Sequence, residues 1–126
     1  MCRVRVGDKG INALKRALTT AAIKLHDGNS ADGHLKLSRF SNIEATQFSV
    51  HIDGNMATLV GTYDINPNDE YHATEEFDLS SILSGMKRSS NPREKAQTAI
   101  TELIQNQLSD NQFNFGNKTR KKIANS

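Results

Sequence analysis

Residues 46–79 read TQFSVHIDGNMATLVGTYDINPNDEYHATEEFDL, and their pattern decides the fold. Phe48, Val50 and Ile52 alternate with Gln47, Ser49 and His51, the period-two mark of a strand buried on one face. Beyond Asp53-Gly54-Asn55, the residues Ala57, Leu59, Tyr63 and Ile65 alternate with Thr58, Val60, Thr62 and Asp64. Asp-Gly and Gly-Asn are both two-residue hairpin signals, because glycine accepts the positive φ that such turns require. Either choice keeps the same side chains on the core face. Asn66-Pro67-Asn68-Asp69 is a second turn signal. A five-residue loop ending at Glu70 aligns Ile65 with Tyr71, Tyr63 with Ala73 and Leu59 with Phe77, and turns Glu75 inward opposite Gly61. An inward charge of this kind blunts an edge strand against aggregation. A catalytic carboxylate is the competing reading of Glu75.

Working outward, His34 to Phe40 reads as a strand with Leu35 and Leu37 inward. A connection through Ser41–Glu44 sets Leu37 beside Phe48 and Leu35 beside Val50. Before it, Asp8 as N-cap and Gly28 as a stop enclose a helix whose apolar stripe is Ile11, Leu14, Leu18, Ala21, Ala22 and Leu25. After the hairpins, Asp78 to Leu83 suggests a short helical turn closed by Gly85. Asn91, Pro92 and Glu94 form an N-cap, a first-turn proline and a capping box for a second long helix. Its stripe is Ala96, Ala99, Ile100, Leu103, Ile104 and Leu108, with an end expected near Asp110. Cys2 to Val6 is a short strand candidate. The fold class that follows is α+β: two layers, an antiparallel sheet of four to five strands with two long helices packed on one face. The expected organisation is a single domain over 1–111 and a basic, flexible tail over 112–126. Helix, three strands and helix is also the outline of double-stranded RNA-binding domains, but only element order matches and no motif residue accompanies it.

The 126 residues suffice for one core, and 36% hydrophobic with 24% charged residues excludes disordered and fibrous classes. One cysteine, Cys2, rules out an intrachain disulfide, the N-terminus lacks the apolar stretch of a signal peptide, and no apolar run approaches a membrane span. A cytoplasmic protein without membrane contact is expected. Its charge is unevenly spread. Residues 1–30 hold six Lys/Arg against two acids, 86–126 hold eight against three, and 64–85 hold six acids and no Lys/Arg. Such a distribution suits a polyanion-binding surface, or charges that balance one another in the fold.

No nucleophile motif is present: there is no Gly-x-Ser-x-Gly and no His-Glu-x-x-His, and Cys2 has no evident base. No enzymatic activity and no cofactor are expected. Gly7-Asp8-Lys9-Gly10 joins strand to helix, where free backbone N–H groups can cradle a phosphate, but it lacks the remaining fingerprint residues and Asp8 repels an anion. Turn-plus-cap is the plainer reading. His34, His51 and His72 share an outward parity, and could converge on a metal with Glu70 or Glu76. Their non-local spacing and the absence of a cysteine ligand make ordinary surface histidines the alternative, and no metal is assigned. The most suggestive feature is basic: Arg3, Arg5, Lys15, Arg16, Lys36, Lys118, Arg120, Lys121 and Lys122 are candidate phosphate contacts, gaining affinity by counterion release. Nucleic acid is therefore the leading ligand class for a small, non-catalytic binding protein. The alternative is a protein-binding inhibitor or adaptor, of the viral or mobile-element type and homo-oligomeric. It would act through Asp64, Asp69, Glu70, Glu76, Asp78 and the exposed sheet face.

Overall fold

The structure is a computed structural model that describes residues 2–5, 7–37, 46–66, 69–108, 112–115 and 117–120, with side chains described over 7–37, 48–62 and 74–108. Its elements run β1 (Cys2–Arg5), α1 (Asp8–His26), β2 (Gly33–Leu37), β3 (Thr46–Asp53), β4 (Met56–Asn66), β5 (Asp69–Asp78), α2 (Ser80–Lys87), α3 (Pro92–Gln107), β6 (Gln112–Phe115) and β7 (Asn117–Arg120). Five strands form one sheet in the order β2-β3-β4-β5-β7, every neighbour antiparallel, and β1 with β6 forms a separate two-stranded ribbon.

The central hairpin closes on Gly54 and Asn55, with Asp53 opposite Met56 and Gly54 at φ +60°. Two ties fix that turn. The Gly54 N–H donates to Asp32 Oδ1 at 2.8 Å, and the Leu79 N–H donates to the Asn55 carbonyl at 2.8 Å. Strand β2 takes the expected register on β3, Leu35 opposite Val50 and Leu37 opposite Phe48. On β4 and β5 the faces are as expected but the register is displaced by two residues. Leu59 lies opposite Glu75, Ala57 opposite Phe77, and Tyr63 opposite Tyr71. The strands run on until Asn66 pairs with Asp69, and a bulge between Asp64 and Asn66 takes up the odd residue. The tighter turn keeps parity, so the core face is unchanged.

Inward residues of the sheet and the helical stripes meet in one core: Phe48, Leu59, Phe77, Leu14, Leu18, Ile100 and Ile104 are all buried. Each such side chain contributes about 1.5–3 kcal/mol relative to exposure. Helix α1 begins one residue earlier than expected. Gly7 is the cap residue, Asp8 sits in the first turn, and the Ile11 N–H bonds the Gly7 carbonyl. It ends at a Schellman closure: Asn29 N–H to Lys24 O at 2.9 Å and Gly28 N–H to Leu25 O at 3.1 Å, with Gly28 at φ +86°. Asn91 caps α3 by accepting from the Glu94 N–H at 3.3 Å, and its amide donates to the Glu94 carboxylate at 3.1 Å. That helix stops at Gln107, short of Asp110, and α2 is a full helix that passes through Gly85, burying Ile82 and Met86.

Two stretches within the expected tail are strands. Gln112–Phe115 pairs with β1, and Asn117–Arg120 pairs with the outer edge of β5. The backbone there belongs to the fold. Phe113 and Phe115 alternate with Gln112 and Asn114, a period-two pattern that fits a strand. Residues 121–126, including Lys121 and Lys122, lie outside the described residues. No helix among the described residues is long and apolar enough to cross a membrane.

Candidate nucleic-acid interface

The basic candidates divide into three groups. Arg3 and Arg5 lie on β1, in register with Asn114 and Gln112, while Lys118 and Arg120 lie on β7, in register with Tyr71 and Asp69. One residue separates β6 from β7, so β1–β6 pairing sets the N-terminal basic strand beside the strand that leads into the C-terminal basic one. Lys15, half-buried, and Arg16, exposed, lie on α1. Lys36 is exposed on β2, opposite Ser49, at the far edge of the sheet from β7. Four strand spacings of about 4.8 Å separate those two edges. Lys36 therefore cannot share a compact site with Lys118 and Arg120. Two further cations stand exposed on α1, Lys9 and Lys24. A helical wheel of α1 places both outside its apolar stripe, which is the signal that finds them. Among the described residues the ion pair within contact distance is His26 with Asp27 at 3.2 Å, so Lys9, Lys15, Arg16, Lys24 and Lys36 have no carboxylate partner there.

The acidic candidates are dispersed in function. Asp69 lies in register with Arg120 and Glu70 with Thr119, so the acidic strand is the one that β7 covers. Opposite charges in such a position contribute about 0.2–1 kcal/mol, which is the charge-balancing reading of the sequence asymmetry. Asp64 sits opposite Glu70. Glu76 is exposed opposite Thr58. Asp78 is occupied: its carboxylate accepts from the Ser80 N–H at 2.9 Å at the start of α2. The backbone N–H of Ser80, and then its side chain, hold Asp78 below the ordinary carboxylate range.

The three histidines do not converge. His34 and His51 are cross-strand partners, with ring centroids 6.4 Å apart. His72 belongs to the row of Gln47 and Thr62, four residues along the strands from the row of His51, Thr58 and Glu76. Four residues of strand are about 13 Å, and His72 is also two strands away from His51. Shared parity put them on one face without bringing them together. Among the described residues no three His, Cys, Asp or Glu side chains are placed to hold a metal ion.

Glu75 is half-buried on the inward face, and burial raises its pKa above the ordinary glutamate value. It has no hydrogen-bond or ion-pair partner among the described residues. The neutral carboxyl's contribution to stability is complete below the unfolded pKa and disappears as pH rises through the raised folded pKa. At neutral pH the charge therefore opposes folding. Glu75→Gln is expected to raise the melting temperature at pH 7 and to change nothing at a pH where glutamate is already protonated. A fall at pH 7 would mean that the carboxylate has a partner it serves.

No protein-family model, curated protein or solved structure matches the chain.

Proposed function

We propose that the protein is a non-catalytic, cytoplasmic binding protein that engages nucleic acid through its two basic ends, without membrane contact. The observation that carries this reading is the pairing of β1 with β6, which joins Arg3 and Arg5 to the strand pair leading into Lys118 and Arg120. Helix α1 follows β1 directly in the chain and carries Lys9 and Lys15 in its first half. The described residues of the outward sheet face, His34, Lys36, Ser49, His51, Thr58 and Val60, include no Phe, Tyr or Trp on which a base could stack. Binding is thus to the phosphate backbone, with little base preference.

The experiment is a salt titration of affinity for a duplex and for a single strand. It uses the full chain and the variant Arg3→Gln, Arg5→Gln, Lys118→Gln, Arg120→Gln, which keeps every strand. The slope of log K against log salt is expected to become shallower by about three to four units for duplex DNA. Relative affinities among sequences should barely change. An unchanged slope, or no measurable affinity of the full chain at low salt, overturns the proposal. The rival reading, an inhibitor or adaptor acting through the acidic hairpin, is favoured if the purified protein also carries no nucleic acid absorbing at 260 nm. With no Trp and two Tyr, the chain absorbs weakly at 280 nm, so such contamination would stand out.

A further inference from the structure

Strand β2 is an edge strand, bonded to β3 on one side and to no other strand among the described residues. Its row of backbone N–H and C=O groups on the other side is a template for strand addition. The inward face of the edge is also thinly covered. Leu35 is 49% exposed, whereas Val50, directly opposite on β3, is 1% exposed. Over Leu35 a groove of about 410 Å³ opens between the edge and α1, walled on the helix side by Ala13, Ala17 and Ala21, with Arg16 and Lys24 also lining it. The small side chains leave space that a larger residue at those positions would fill. Cations predominate around it: Arg16, Lys24 and Lys36 have no carboxylate partner among the described residues, while the one acid lining the groove, Asp32, accepts from the Gly54 N–H.

We propose that the β2 edge and its groove accept an extended acidic segment of a partner protein, alternating apolar and acidic residues, as a sixth strand of the sheet. Its backbone bonds the free edge of β2. Its inward apolar side chains cover Leu35 and enter the groove, and its outward acidic side chains lie beside Lys36. Acidic residues flanking the segment meet Arg16 and Lys24. A helix laid in the groove would leave the β2 backbone groups unbonded. A second copy of this chain would oppose Lys36 to like charges and bring another pair of basic helix rims to the junction. This surface is separate from Arg3, Arg5, Lys118 and Arg120, so it stands or falls independently of nucleic-acid binding.

The probe is a short labelled peptide alternating Glu and Val, with its Lys–Val counterpart as control, followed by fluorescence anisotropy and by amide hydrogen exchange of the full chain. The Glu–Val peptide is expected to bind and the Lys–Val peptide not to. Amides within 33–37 should gain protection in the complex. Arg16→Glu with Lys24→Glu should weaken binding about ten-fold or more. Leu35→Thr should weaken it too, while leaving the melting temperature nearly unchanged because Leu35 is half exposed. Arg3→Gln with Lys118→Gln should not affect it. Equal binding of both peptides, binding without new protection in β2, or a dimer of the free chain that protects β2 would each overturn the proposal.

Discussion

Leu59→Asp is expected to leave the protein unfolded at room temperature. Leu59 is 1% exposed, lies between Val50 and Glu75 in register, and belongs to the same core as Phe48 and Phe77. Removing a buried leucine of this kind costs about 2–5 kcal/mol. An unpaired carboxylate in its place costs several more, and here it would face the carboxyl of Glu75 across the strands. That sum rivals the whole stability of an ordinary domain, about 5–15 kcal/mol. Thr58→Asp is the control one residue away. Thr58 points to the outward face between His51 and Glu76, so the penalty is a single like-charge neighbour, no more than about 1 kcal/mol. Denaturant unfolding followed by circular dichroism separates the two. Equal tolerance of both would mean that the inner and outer faces of the sheet are reversed.

Deleting residues 117–126 is expected to destabilise the protein by about 2 kcal/mol, estimated as a few net hydrogen bonds partly offset by the freedom of the released chain. The composition of that segment, with four cations and no acid, reads as a tail whose loss the melting temperature would not register. The register of β7 on β5 reverses the expectation. Asp69, Glu70, Tyr71 and His72 each lose a strand partner, and the edge of β5 becomes an open template. The deletion should lower the melting temperature by several degrees and promote self-association visible by size-exclusion chromatography. A melting temperature equal to that of the full chain, with no new association, would show that β7 contributes nothing to the fold.

These outcomes mark where the sequence could be read and where it could not. The β2–β3 register was legible because face matching and a short connection together leave one alignment, Leu35 with Val50. The β4–β5 register was not, because parity admits any displacement by two residues, and the bulge beside Ile65 lets the strands pair closer to Pro67. Both helices were legible from stripe and caps, Asn91 and Gly28 above all. The basic residues were legible as types. Their grouping depended on which distant strands β1, β6 and β7 would meet, and nothing local in Arg3 or Lys118 encodes that. The groove beside β2 was illegible for a related reason: Ala13, Ala17 and Ala21 look like an ordinary helix face until the edge strand is seen beyond them.

The order in which the ribosome delivers these elements has its own consequence. Strands β2 to β5 pair with sequence neighbours, so the meander can assemble as it emerges. Strand β1 emerges first yet finds its partner only in β6, nearly the whole described chain later, and the outer edge of β5 waits for β7, which follows at once. The same short stretch, 112–120, therefore closes two open edges in one late step. A chain that stalls before it holds a nearly complete sheet with both templates unpaired, the form most exposed to aggregation and to capture by chaperones.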